Sequence, residues 1–147
     1  MSDKKKLRDI LQLYSLKASE QRLILLQEII SAKAVFSADS LYNSTQGKID
    51  LATIYRFLKV LQNNNIICQV QSIDENKSYE YCLPQKYIHP HFQCTKCHKI
   101  FCLEKLAPQH EAMLREYSQQ NEIKQISLTF TGLCAKCKWF AERYWHR

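Results

Sequence analysis

The feature that most constrains this chain is a repeated one. Cys94-Thr-Lys-Cys97 and Cys134-Ala-Lys-Cys137 are two C-x-x-C pairs, with 36 residues between Cys97 and Cys134. Each pair sets two sulphurs on one side of a tight turn. Two such turns brought together form a closed tetrahedral four-sulphur site, the standard arrangement of structural zinc. The intervening chain must then fold back, and its pattern allows this. Residues 99–103 read as a strand, 107–120 as a helix, and 123–131 as a strand carrying Ile123, Ile126, Leu128 and Phe130. The rival use of C-x-x-C is redox chemistry. That requires a βαβ surround and a helix starting at the first Cys, whereas Cys94 follows His91-Phe-Gln in an expected strand.

Composition narrows the class. Of 147 residues, 46% are hydrophobic and 24% charged, which suits a soluble globular chain and excludes disorder. Two Gly and three Pro are too few for a collagen-like, linker-rich or many-turned all-β design. No apolar run approaches the ~18 residues of a membrane span. The basic start lacks an apolar segment behind it, so it is not a secretory signal. We therefore expect a cytoplasmic protein with reduced thiols and no membrane partner. Seven cysteines then point to metal binding or redox chemistry rather than to a disulfide framework. The formal charge of +7 points to an anionic partner, with nucleic acid first. Charge is uneven. Residues 1–83 carry 11 Lys/Arg against 9 Asp/Glu, and 84–147 carry 10 against 5. Pro84 and Pro90 bracket a connector between them. The expected organisation is a domain at 1–83, a hinge at 84–90 and a domain at 91–147.

The first domain reads as four short helices and a hairpin. Leu7, Ile10, Leu11 and Tyr14 share a helix face. Ser19 can cap a second helix to about Ala32, with Leu23, Leu26, Ile29 and Ile30 inward. Ser37 can cap a third to about Thr45, and Asp50 a fourth over 51–64. Asn63-Asn64-Asn65 tolerates the left-handed backbone at a helix end. The runs 66–72 and 78–83 are the strands of a hairpin with a polar tip. Three helices plus this wing make a winged helix-turn-helix. On a 100° wheel the fourth helix turns Ile54, Phe57, Leu58 and Leu61 to the core and Ala52, Arg56, Lys59 and Asn63 outward, with Thr53 and Tyr55 on the flanks. Arg56 suits guanine, and Thr53 and Tyr55 suit a thymine methyl. Lys59 suits a phosphate. The plain alternative is a solvated helix face.

A second metal site is readable at the join. Cys68 and Cys82 sit on the two hairpin strands, where they can approach and share a face. His89 and His91 follow. Together they compose a set of two thiolates and two imidazoles, which suits Zn²⁺ better than Fe²⁺ or Mn²⁺. The plain alternative is Cys packed as a small hydrophobe. Cys102, Glu80 and Glu104 are substitute ligands, although core packing is the expected role of Cys102. His98, His110 and His146 read as surface residues.

Thr53-Ile-Tyr-Arg-Phe-Leu58, Tyr79-Glu80, His89-x-His91-x-x-Cys94-x-x-Cys97 and Gly132-Leu-Cys-x-x-Cys137 together resemble the ferric uptake regulator family of metal-dependent repressors. The resemblance runs in order over about 130 residues. It implies an α+β chain: an N-terminal winged helix-turn-helix and a small α/β dimerisation domain bearing the four-cysteine zinc. It implies a homodimer on palindromic double-stranded DNA operators, and no enzyme. By position, Tyr55 and Arg56 would contact bases and Arg22 would be a second-helix contact. Iron and peroxide sensors of the family place a His before the third helix, where Ala34-Val35-Phe36 stands here. Zinc uptake regulators draw one ligand from each hairpin strand, as Cys68 and Cys82 would supply. The expected function is therefore a zinc-responsive repressor with one structural and one regulatory Zn²⁺ per protomer. The alternatives are an iron- or peroxide-responsive repressor of the same family and, less favoured, a zinc-dependent enzyme with Glu80 as base.

Overall fold

The computed structural model describes residues 3–32, 35–73, 75–82, 88–123 and 126–145. The chain divides into two compact units, Met1–Gln69 with Lys77–Leu83, and Val70–Asn76 with Pro84–Arg147. Of the hinge expected at 84–90, residues 84–87 lie outside the described set.

The first unit holds α1 (Asp3–Leu13), α2 (Glu20–Ala32), α3 (Ala38–Ser44) and α4 (Leu51–Asn63), followed by the hairpin strands β1 (Ile67–Val70) and β2 (Ser78–Tyr81). Local chemistry sets the helix ends. The Arg22 amide donates to Ser19 Oγ at 3.4 Å. Ser37 and Ser40 satisfy each other's amides in a reciprocal cap of α3. Asp50 accepts the Thr53 amide at the start of α4. Gly47 ends the α3–α4 turn at φ +70°, and a Cβ there would meet the Tyr42 hydroxyl at 3.1 Å. Asn65 takes φ 56° just past α4, as the asparagine run suggested. The core gathers Leu11, Leu26, Ile29, Ile54, Leu58, Leu61 and Ile66, all essentially inaccessible. Leu25 is also buried, against the single-face expectation for α2, because α2 packs against both α1 and α3. A single bridge from Phe36 to Tyr79 ties the start of the third helix to the wing.

The second unit is a three-stranded sheet in the order β4-β3-β5, with β3 at His91–Cys94, β4 at Ile100–Cys102 and β5 at Thr129–Gly132. β3 pairs antiparallel with β4 and parallel with β5. A parallel pair needs a long crossover, and the connection holding α5 (Pro108–Glu116) provides it. The strand expected at 123–131 is shorter and ends one residue later, and the helix expected at 107–120 ends at Glu116. A last helix, α6 (Ala135–Trp145), had no counterpart in the sequence reading. Among the described residues no helix is long and apolar enough to cross a membrane.

Candidate metal centres and nucleic-acid interface

Strand register builds the four-sulphur site. Parallel pairing sets Cys94 opposite Gly132, so the first knuckle and the approach to the second leave the sheet side by side. The Thr95 amide donates to the Gly132 carbonyl at 2.7 Å, locking the two turns. Cys137 follows in the first turn of α6. The sulphurs of Cys94, Cys97, Cys134 and Cys137 all lie within 4.8 Å of one another. Cys94 and Cys137 are buried and Cys97 is exposed.

The electrostatics of this cluster suit a bound cation. The amides of Cys134 and Cys97 donate to Cys94 Sγ at 3.4 and 3.5 Å. These bonds, that of Cys134 foremost, lower the Cys94 pKa to about 6. Burial and the neighbouring thiols push Cys137 up to about 12. Four thiolates at this spacing repel one another, and a dication is what lets all four ionise together. The all-sulphur donor set and closed geometry fit structural Zn²⁺.

The residues expected to form the regulatory site fall into two pairs. In the first unit Cys68 and Cys82 are joined by a disulfide, with Cα atoms 5.9 Å apart. That departs from the expectation of reduced thiols. The reason is local: the Cys82 amide donates to the Ile66 carbonyl at 3.1 Å, which closes the hairpin base and keeps the two residues within disulfide range. In the second unit the rings of His89 and His91 are 5.0 Å apart. Cys102 lies with them, the three donor atoms falling within 4.8 Å of one another. Core packing was expected of Cys102, but it is exposed. It stands on the three-residue edge strand β4. Glu80 is half-buried on β2, and Glu104 is exposed beyond β4. His98 and His110 are exposed as expected, and His146 lies outside the described residues.

Gln93 is a functional candidate that sequence reasoning missed. It is fully buried on the central strand beside Cys94. Its Oε1 accepts from the Ile73 amide at 2.6 Å, and its Nε2 donates to Ser72 Oγ at 3.1 Å and to the His98 carbonyl at 3.3 Å. One amide thus ties the segment Val70–Asn76, the tip of the hairpin, to the first zinc knuckle within the second unit. A glutamine in an amphipathic strand gives no sign of this from sequence.

The residues expected to contact DNA are mostly gathered on one surface. Arg22, Thr53, Arg56 and Lys59 line a groove between α2 and α4, together with Gln21 and Asn63. Arg22 stacks its guanidinium over the Phe57 ring at 5.5 Å and donates to the Lys17 carbonyl at 3.2 Å. Arg56 Nη2 donates to Thr53 Oγ1 at 3.3 Å, and Thr53 Oγ1 donates to Asp50 Oδ2 at 2.7 Å. The N-cap thus also orients the exposed guanidinium. Tyr55 is half exposed on α4 but does not line the groove.

The family model of the ferric uptake regulators matches residues 14–131. The chain belongs to the ferric uptake regulator family. It is 25% identical to the ferric uptake regulation protein of Campylobacter upsaliensis over 137 residues, 90% of this chain and 86% of that one. It is 22% identical to the peroxide operon regulator of Bacillus subtilis over 120 residues, 80% of this chain and 81% of that one. The fold superposes on the Helicobacter pylori ferric uptake regulator with a TM-score of 0.71 at 22% identity, over 91% of this chain and 90% of that one. The chain is thus a metal-responsive transcriptional regulator with an α+β fold, and not an enzyme. The zinc-enzyme alternative falls away.

Proposed function

We propose that this regulator is a zinc-responsive repressor that binds palindromic operators as a homodimer. The observation that carries the zinc assignment is the donor set. Cys68 with Cys82 and His89 with His91 are each brought into a close pair, and Cys102 stands by the histidines as a further sulphur. Sulphur and imidazole favour Zn²⁺ over Fe²⁺ and Mn²⁺, whose sites are rich in carboxylate. The proposed four-residue set Cys68, Cys82, His89 and His91 rests on the sequence pattern, with Cys102, Glu80 and Glu104 as substitutes. Bound zinc would supply the charge that holds these donors together. The zinc of the four-cysteine centre would be structural.

DNA binding is supported by the basic groove of Arg22, Arg56 and Lys59 on a winged helix-turn-helix. Arg56 and Tyr55 would read bases, Thr53 would meet a thymine methyl, and Lys59 would hold a phosphate. Dimerisation is supported by the apolar side chains that the second unit leaves outside, among them Phe101, Phe130, Trp139 and Phe140. Two copies related by a two-fold axis would present two recognition helices to half-sites ~34–36 Å apart.

The test pairs metal content with DNA binding. An operator is first selected from random duplex DNA with the zinc-loaded, reduced protein. The expected result is two zinc ions per protomer, one removed by mild chelation. Operator affinity should fall on removal and return with Zn²⁺ but not with Fe²⁺ or Mn²⁺. Recovery with Fe²⁺ alone would establish the iron-responsive alternative instead.

A further inference from the structure

We infer that Cys68 and Cys82 form a thiol–disulfide switch that decides whether the regulator can respond to zinc. The inference rests on the proposed zinc response and adds a control to it. Both residues are half-buried at the base of the wing, with Cα atoms 5.9 Å apart. That separation lies within the range of ordinary disulfides, so the bond needs no movement of the backbone. The remaining five thiols belong to the second unit, and four of them form the four-sulphur centre. Cys68 and Cys82 are therefore each other's partner for oxidation. Cys82 Sγ also stands 3.4 Å from the carbonyl of Asn65, the residue that turns the chain out of α4. The bond thus closes the wing directly behind the recognition helix.

The chemistry makes the two states exclusive. A metal takes thiolates, and a disulfide has none to give. The same two sulphurs can hold zinc or each other, but not both. With a small-molecule disulfide as oxidant the step balances. One protein thiolate attacks the small disulfide and releases one small thiol, leaving a mixed disulfide. The second protein thiolate attacks the protein sulphur of that bond and releases the other small thiol. Two protein thiols give up two electrons and two protons, and one small disulfide becomes two thiols. The pair sits 14 residues apart in sequence, so the second attack is intramolecular and local.

The experiment equilibrates the full-length zinc-loaded protein in glutathione buffers of rising disulfide fraction. Samples are acid-quenched, alkylated and mapped by peptide mass, with zinc content and operator affinity read in parallel. The expected result is a single two-electron transition that yields the Cys68–Cys82 peptide. One zinc per protomer should leave while the zinc of the four-cysteine centre stays, and zinc-dependent operator affinity should drop about tenfold or more. Reduced glutathione should reverse all three changes. Oxidation at other cysteines first, or an oxidised protein that keeps its zinc response, would overturn the inference. The double variant Cys68→Ala, Cys82→Ala should show no glutathione dependence in any readout. If reduced wild type shows no zinc-dependent DNA binding, the repressor reading itself fails. The mass map separates that failure from the other, because it reports the disulfide whether or not DNA binds.

Discussion

Removing the metal from the four-cysteine centre should unfold the second unit and leave the first intact. The reason lies in where the apolar side chains are. The buried core cluster, from Leu7 through Leu61 to Tyr79, belongs to the first unit. In the second unit the buried apolar side chains among the described residues are Val70, Ile88, Pro90 and the two ligands Cys94 and Cys137. Its larger apolar residues stay outside, with Phe130 55% and Trp139 49% exposed. Within a single protomer, such a unit cannot offset the entropy of ordering its chain by burial alone. Structural zinc contributes roughly 10–16 kcal/mol to the folding of small domains near pH 7, as much as the whole ~5–15 kcal/mol stability of a typical domain. Its loss should therefore move the second unit to the unfolded side, while α1–α4 keep their packing. The assay is hydrogen exchange followed by mass spectrometry, before and after strong chelation, with zinc loss verified on the same samples. β3, β5 and α6 should lose protection by several orders of magnitude, and α2 and α4 should change little. Cys97→Ser should reproduce the chelated pattern. Persisting protection in β3 and β5 of zinc-free protein would refute the reasoning.

Other outcomes are specific to single residues. Arg56→Ala should cost ~1–3 kcal/mol of operator binding and relax sequence preference, whereas Lys59→Ala should weaken all sequences alike and lower the salt slope by ~0.9; fluorescence anisotropy across a salt series separates them. The Asp50 carboxyl is held below its ordinary value of 3.8, chiefly by the Thr53 hydroxyl and then by the Thr53 amide. Its cap is thus fully in place above that value and is lost as pH falls through the lowered one, so amide exchange at the start of α4 should rise only below about pH 4. Asp50→Asn, still a good cap, should abolish that pH dependence. Leu26→Ala, at a fully buried site, should destabilise the first unit by ~2–5 kcal/mol in urea denaturation. Gln93→Leu strands the Ile73 amide and should cost ~1–3 kcal/mol in the second unit, with the zinc content of the four-cysteine centre unchanged.

How much was legible follows from how local each cause is. The boundaries of α4 could be read because its cap, its apolar stripe and its asparagine exit lie close together along the chain, from Asp50 to Asn65. The four-cysteine centre could be read because each knuckle is a short C-x-x-C unit and the metal supplies the long-range term. What brings the knuckles together was less visible. It is the parallel register of Cys94 with Gly132, which no period within either strand specifies. The alternation over 123–131 overstated β5, since apolar spacing carries no information on where a ladder ends. α6 went unread because Trp139, Phe140 and Tyr144 form an aromatic face of their own, packed on one another, rather than a core stripe.

The cysteines show the same division more sharply. Spacing assigned six of the seven to metal, and for Cys94, Cys97, Cys134 and Cys137 geometry and electrostatics agree with it. For Cys68 and Cys82 spacing could fix only that they approach one another, which is a condition shared by a zinc site and a disulfide. The structure joins them as a disulfide, with Cα atoms 5.9 Å apart. In the switch proposed above, redox state and the availability of zinc would select between the two, and both quantities lie outside any sequence. Cys102 completes the contrast, because its neighbours His89 and His91 come to it across a strand pair. A ligand set assembled by tertiary register can be completed only after the register is known. A chain can therefore announce its structural metal in four-residue words while leaving its sensing chemistry to be read from the fold.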